Sequence, residues 1–158
     1  MRRLTPIEMA IGVSLLGSVA AVAVPVFVRN VHASRLSEPI EGLGRLGAAA
    51  IAYADAHREL PPSAPLTPAT PPRGTKEVDP PGTWDGPTWT ALGFRAAPEG
   101  VPHAYAYSFE STGTDFVAQA RGDLDADGIL STFEIRGGLR PGSPAALEPG
   151  MYVEAELE

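Results

Sequence analysis

The sequence predicts an α+β protein: a long N-terminal helix, membrane-spanning in its first half and amphipathic in its second, packed on a small antiparallel β-sheet. Three observations carry this expectation. IEMAIGVSLLGSVAAVAVPVFV, Ile7 to Val28, is an almost unbroken apolar run; apolar residues then recur every three or four positions as far as Ala54; and the last third alternates apolar with polar residues. Spacings of three and four match a helix and alternation matches a strand. A helix with one apolar stripe and a sheet with one apolar face cover each other economically.

The apolar run comes first. At about 1.5 Å per helical residue it crosses a bilayer core of roughly 30 Å. Glu8 lies one residue inside it. An acidic side chain costs roughly 2.5–3.5 kcal/mol at the membrane centre and less toward the interface, so Glu8 is tolerable near the edge but wants a partner. The simpler reading is an interfacial glutamate reaching the headgroups. Arg2 and Arg3 precede the run, while Arg29 and Arg35 follow it. That balance leaves the short N-terminal tail to favour a single pass with the N-terminus cytoplasmic. Three alternatives are a cleaved secretory signal ending near Val31-His32-Ala33, a plain anchor, and a buried helix of a soluble protein.

Composition limits the remainder. The chain has 158 residues and a net charge of −7. Setting aside Arg2, Arg3 and Glu8, 10 basic residues face 18 acidic ones beyond Val28. Such an acidic surface repels a phosphate backbone, which excludes nucleic acid as a partner. Cysteine is absent, so neither a disulfide framework nor a thiolate metal site is available.

LTPIEMAIGVSLLGSVAAVAVP, Leu4 to Pro25, resembles the N-terminal helix of type IV pilins and pseudopilins. With Leu4 as first mature residue, Glu8 falls at the family's fifth position, Thr5 follows Leu4 as in the family, Gly17 occupies the helix glycine and Pro25 closes the phrase. The resemblance implies a pilin-like fold and a leader, residues 1–3, removed by a prepilin peptidase. It also implies methylation of Leu4, and pairing of Glu8 with the N-terminal amine of a neighbouring subunit, the same chain or another pilin-like one. The filament would be of the type IV pilus or type II secretion kind, in the inner membrane with the globular part periplasmic or in an extracellular filament. Arg3 stands where the family has glycine before the cleaved bond, and Pro6 replaces an apolar residue. Pro6 is compatible with a first helical turn, whose amide hydrogens have no intrahelical partner. The alternative is a non-polymerising, membrane-anchored periplasmic domain that binds calcium.

Residues 4–28 are thus the spanning or assembly helix and 29–60 an amphipathic helix. Leu36, Ile40, Leu43, Leu46 or Gly47, Ala50 and Ala54 form the stripe, with Pro25 and Pro39 expected to kink the helix. Pro61 and Pro62 end it, and residues 61–102 read as an irregular Pro/Gly-rich loop. Trp84, Trp89, Leu92 and Phe94 are expected to fasten that loop to the sheet; a proline-recognition ligand or a sugar-binding surface are the alternatives.

Residues 103–158 form the sheet. Four strands are expected, in AYAYSFE, DFVAQARG, STFEIRG and YVEAELE. Between the second and third lies DLDADGILSTFE, residues 123–134. It satisfies the twelve-residue calcium-loop pattern with carboxylates of Asp123, Asp125 and Asp127, Gly128 at the turn, the Ile129 carbonyl, Ser131, and Glu134 as last ligand. Hard cations take oxygen ligands, and alternating carboxylates on a curved loop converge. Both flanks read as extended, which separates this loop from true EF-hand pairs; a polar hairpin whose aspartates hold turns is the alternative. Some pseudopilins likewise hold calcium in their globular part. His32, His57 and His103 lack metal-ligand spacing, and no serine sits in a nucleophile-elbow phrase, so an enzyme is not expected.

Overall fold

A computed structural model describes residues 5–155, and the side chains of all of these except 28–35. The expected leader, including Arg3, and the expected mature terminus Leu4 lie outside the described residues. The chain divides into two compact units, residues 1–35 and 36–158. Helix α1, Pro6–His57, contributes to both. Pro25 and Pro39 lie within it, and neither ends it.

In the first unit, Pro6–Phe27 is 22 residues of helix, long and apolar enough to cross a membrane, with none of its most apolar stretch buried. Leu15, Leu16, Val22 and Phe27 are all exposed. This half of α1 has apolar residues all round, so no single face can be hidden by folding alone.

The second unit has its own core. Residues 36–57 of α1 bury Pro39, Leu43, Leu46, Ala50 and Ala54, whereas Ile40 is 48% exposed. Leu36 packs partly buried against this core as expected, and from there the stripe runs through Pro39 and not through Ile40. Positions 39 and 40 are both compatible with the spacing to Leu43, and what decides is the sheet: the Tyr107 hydroxyl donates to the Glu38 carbonyl, bringing that side of the helix inward. The helix closes at His57, short of Leu60, because Arg58 takes a left-handed φ of 61° while its N–H still bonds the Ala54 carbonyl.

Six strands form one sheet: β1 Ala64–Thr67, β2 Ala106–Ser111, β3 Asp115–Gly122, β4 Ser131–Arg140, β5 Ser143–Leu147 and β6 Tyr152–Glu154. The order is β1-β2-β3-β4-β5, with β6 also pairing β4, and every pairing is antiparallel. Period-two alternation puts Tyr107, Phe109, Phe116, Ala118, Ala120, Phe133 and Ile135 in the core. Gln119, Glu134 and Tyr152 lie in one cross-strand row on the other face.

Two strands and a helix depart from the expected layout. Residues 61–102, expected to be irregular, contain β1 and a short helix α2, Pro87–Leu92. Pro65 belongs to β1, which occupies the sheet edge where a missing N–H is tolerated. Strand β5, SPAAL, has weak strand propensity and forms because β4 is long enough to pair with both β5 and β6. The aromatic residues of the loop do fasten it. Trp84, Trp89, Leu92 and Phe94 are buried, and Phe94 meets Tyr107 edge-on with centroids 5.2 Å apart. From α1, Arg45 lies 5.4 Å from the Phe94 ring centroid and donates to the Ala96 carbonyl at 2.7 Å.

Candidate functional site

The acidic loop connects β3 to β4. A carboxylate oxygen from each of Asp123, Asp125 and Asp127 lies within 4.8 Å of the others, so the cluster could hold a metal ion. Local backbone chemistry shapes it. The Asp127 N–H donates to Asp125 Oδ1 at 3.2 Å, and the Ile129 N–H to Asp127 Oδ1 at 2.7 Å. These are side-chain turns that curl the chain two residues at a time. Ala126 and Gly128 take left-handed φ values of 68° and 93°, which glycine adopts freely and alanine only under constraint.

Asp123 differs from its two neighbours. It is 2% exposed, against open positions for Asp125 and Asp127. Its Oδ2 accepts from Arg73 Nε at 2.9 Å, while its Oδ1 is buried without a hydrogen-bond partner. An ionised oxygen taken from water without a donor is costly. A bound cation would supply what Oδ1 lacks, so the residues present fit a hard, oxygen-seeking ion.

Of the other three expected ligands, Ile129 is expected through its carbonyl, and the side chains of Ser131 and Glu134 are engaged elsewhere. Ser131 Oγ, fully buried, donates to the Gly122 carbonyl at 3.1 Å. Ile129 is exposed, and its N–H is what holds Asp127. Glu134 accepts from Gln119 Nε2 at 2.7 Å and from Arg136 Nε at 2.6 Å. The reason is the secondary structure. β4 starts at Ser131, so residues three apart point to opposite faces of the sheet and lie about 10 Å apart along it. In a true EF-hand the exiting segment is a helix, which returns its twelfth residue to the ion. Burial pushes the Glu134 pKa up, but the hydrogen bonds from Gln119 and Arg136 and the attraction of Arg136 and Arg121 outweigh it, leaving the pKa below the usual value.

At the other candidate site, Glu8 is held by Thr5. Its Oε2 accepts from the Thr5 N–H at 2.8 Å and the Thr5 hydroxyl at 3.0 Å, while the Glu8 N–H donates to Thr5 Oγ1 at 3.2 Å. This is a reciprocal capping box, with Pro6 at the first helical position. The signal, Thr-x-x-Glu followed by an apolar run, is present in the sequence and was overshadowed there by the membrane cost of Glu8. A β-carbon on Gly17 would meet no atom within 4 Å among the described residues, so that part of the helix surface is open. Pro25 lies in the first unit, inside α1.

No protein-family model, curated protein or solved structure matches this chain.

Proposed function

We propose that this protein is a pilin-like or pseudopilin-like subunit that assembles through its apolar helix into a filament of the type IV pilus or type II secretion kind. The observation that carries the reading is the division of α1. Residues 36–57 cover the sheet of a unit that has its own core, whereas Pro6–Phe27 is left with its apolar side chains uncovered. A helix of that length and composition requires lipid, other copies of itself, or both in turn. Glu8 at its start would be the charge that a neighbour's N-terminal amine neutralises in the filament. Intact-mass measurement of the membrane-extracted protein tests this. An N-methylated Leu4 with residues 1–3 absent is expected, and a retained leader would sink the reading in its simple form.

One observation favours a second reading, a non-polymerising membrane-anchored domain. The Thr5 capping box already gives the Glu8 carboxylate partners within its own chain, so assembly is not the sole source of relief.

In either reading the outer unit binds calcium through Asp123, Asp125 and Asp127, with the remaining coordination completed by carbonyls and water. Three carboxylates without a bidentate twelfth-position glutamate place the affinity in the extracellular class, roughly 10⁻⁴ to 10⁻³ M, suited to stabilising a fold. The supporting observation is the buried, unpartnered Asp123 Oδ1. A rise in melting temperature with millimolar calcium should disappear in Asp125→Ala; no rise in the wild type would leave only a polar hairpin.

A further inference from the structure

The acidic loop is covered by another part of the chain. Arg73, from the Pro/Gly-rich segment, lies across it: Nε bonds Asp123 Oδ2 at 2.9 Å and Nη2 donates to the Ala126 carbonyl at 3.3 Å. Next to it the Gly74 N–H donates to the Asp123 carbonyl at 2.8 Å, and residues 73 and 123 form a parallel bridge. The fit is close. A β-carbon on Gly74 would stand 3.1 Å from Ala126 Cβ, and one on Gly128 would stand 3.6 Å from Arg73 Nη2. The guanidinium therefore reaches from the first aspartate of the loop to its sharp turn.

We infer that Arg73 is the resident counter-cation of this loop: it keeps the three-aspartate loop wrapped without metal, and it opposes the calcium ion that binds there. The inference rests on the calcium reading given above. Its physical basis is the division of labour on Asp123. A nearly fully buried carboxylate needs a positive partner in every state of the protein, and Arg73 supplies one to Oδ2 while leaving Oδ1 for an ion. The same positive charge, a few ångströms from a bound divalent ion, repels it through a partly solvated medium. Arg73 thus exchanges calcium affinity for metal-free order. Because Gly74 and Arg73 share the contact, the ion site and the segment from Pro61 to Pro102 are energetically coupled, and the coupling is reciprocal.

The test uses the full chain in detergent micelles, comparing wild type, Arg73→Gln and Arg73→Lys. In EGTA, Arg73→Gln should melt lower by roughly 4 °C or more, with faster hydrogen exchange at the Gly74 and Asp127 amides. In calorimetric titration with calcium chloride, Arg73→Gln should bind roughly three- to tenfold tighter than wild type and recover more of its melting temperature. Arg73→Lys, which keeps the charge, should bind like wild type. In the wild type, calcium should quicken solvent exchange of the Arg73 Nε–H, a readout that needs no variant to fold. Equal or weaker calcium binding by Arg73→Gln, or slower Arg73 exchange with calcium, overturns the antagonism and leaves the calcium reading intact. Failure of both wild type and Arg73→Gln to take up millimolar calcium overturns the calcium reading itself, and the antagonism with it.

Discussion

The Tyr107 hydroxyl occupies the space that a side chain on Gly42 would need: a β-carbon built on that glycine would overlap the oxygen and crowd the ring carbons behind it. The same hydroxyl donates to the Glu38 carbonyl one helical turn earlier. Absence of a side chain at Gly42 is what lets α1 lie this close to β2.

Gly42→Ala should therefore destabilise the second unit by about 1–3 kcal/mol through overpacking, despite alanine's better helix propensity. Gly44, two residues on, has nothing within 4 Å of a built β-carbon among the described residues. Gly44→Ala should stabilise by up to about 1 kcal/mol. Denaturant melts of the two variants should move in opposite directions; equal shifts would place the helix differently on the sheet.

Glu134 separates the sequence motif from the folded loop. Because its carboxylate is engaged by Gln119 from the neighbouring strand and by Arg136 on its own strand, Glu134→Gln should leave calcium uptake unchanged, whereas Asp125→Ala should abolish it. The same residue has an acid signature. Its folded pKa is lowered, so its contribution to stability is fully present above the unfolded carboxylate value of about 4.3 and is lost as pH falls through the lower folded value. Acid melts of Glu134→Gln should lack that component below about pH 4.

Asp79 anchors the Pro/Gly-rich segment. Its Oδ2 accepts from Trp84 Nε1 at 2.6 Å and lies 2.7 Å from Nε2 of the buried His103, whose Nδ1 is 2.8 Å from the Tyr105 carbonyl. Asp79→Ala strands both ring nitrogens and should cost about 1–3 kcal/mol. Tryptophan emission should shift to longer wavelength below the melting transition; an unchanged spectrum would mean the segment is held elsewhere.

Charge and capping at Glu8 can be separated by one variant. Glutamine at the third helical position still returns a hydrogen bond to Thr5 but carries no charge. If assembly depends on ionic pairing with a neighbour's amine, Glu8→Gln should fail to enter filaments as completely as Glu8→Ala. Normal incorporation of Glu8→Gln would leave the residue as a helix cap.

The legible parts of the fold were those written in local period. Leu43, Leu46, Ala50 and Ala54 marked a helix face, and Tyr107 and Phe109 a strand face, because side-chain direction follows from backbone repeat alone. β1 was missed because Pro65 within it, and Pro61, Pro62 and Pro68 around it, argue for a loop unless an open edge is known to be waiting for it. Glu134 was read as a ligand because its spacing matches a helical exit, while its own segment is a strand.

The sequence by itself determined the apolar helix, the acidic character of the residues after it, the alternating strands and the three-aspartate loop, all consequences of neighbours within a few residues. Tertiary structure decided what those elements meet. It turned Glu134 to the far face of the sheet, set Gly42 beneath Tyr107, and brought Arg73 onto Asp123 across 50 residues of chain. Such pairings depend on how strands stack and where a long loop is pinned. Spacing along the chain carries no record of either, because a flexible connection of that length can place its residues against many different partners.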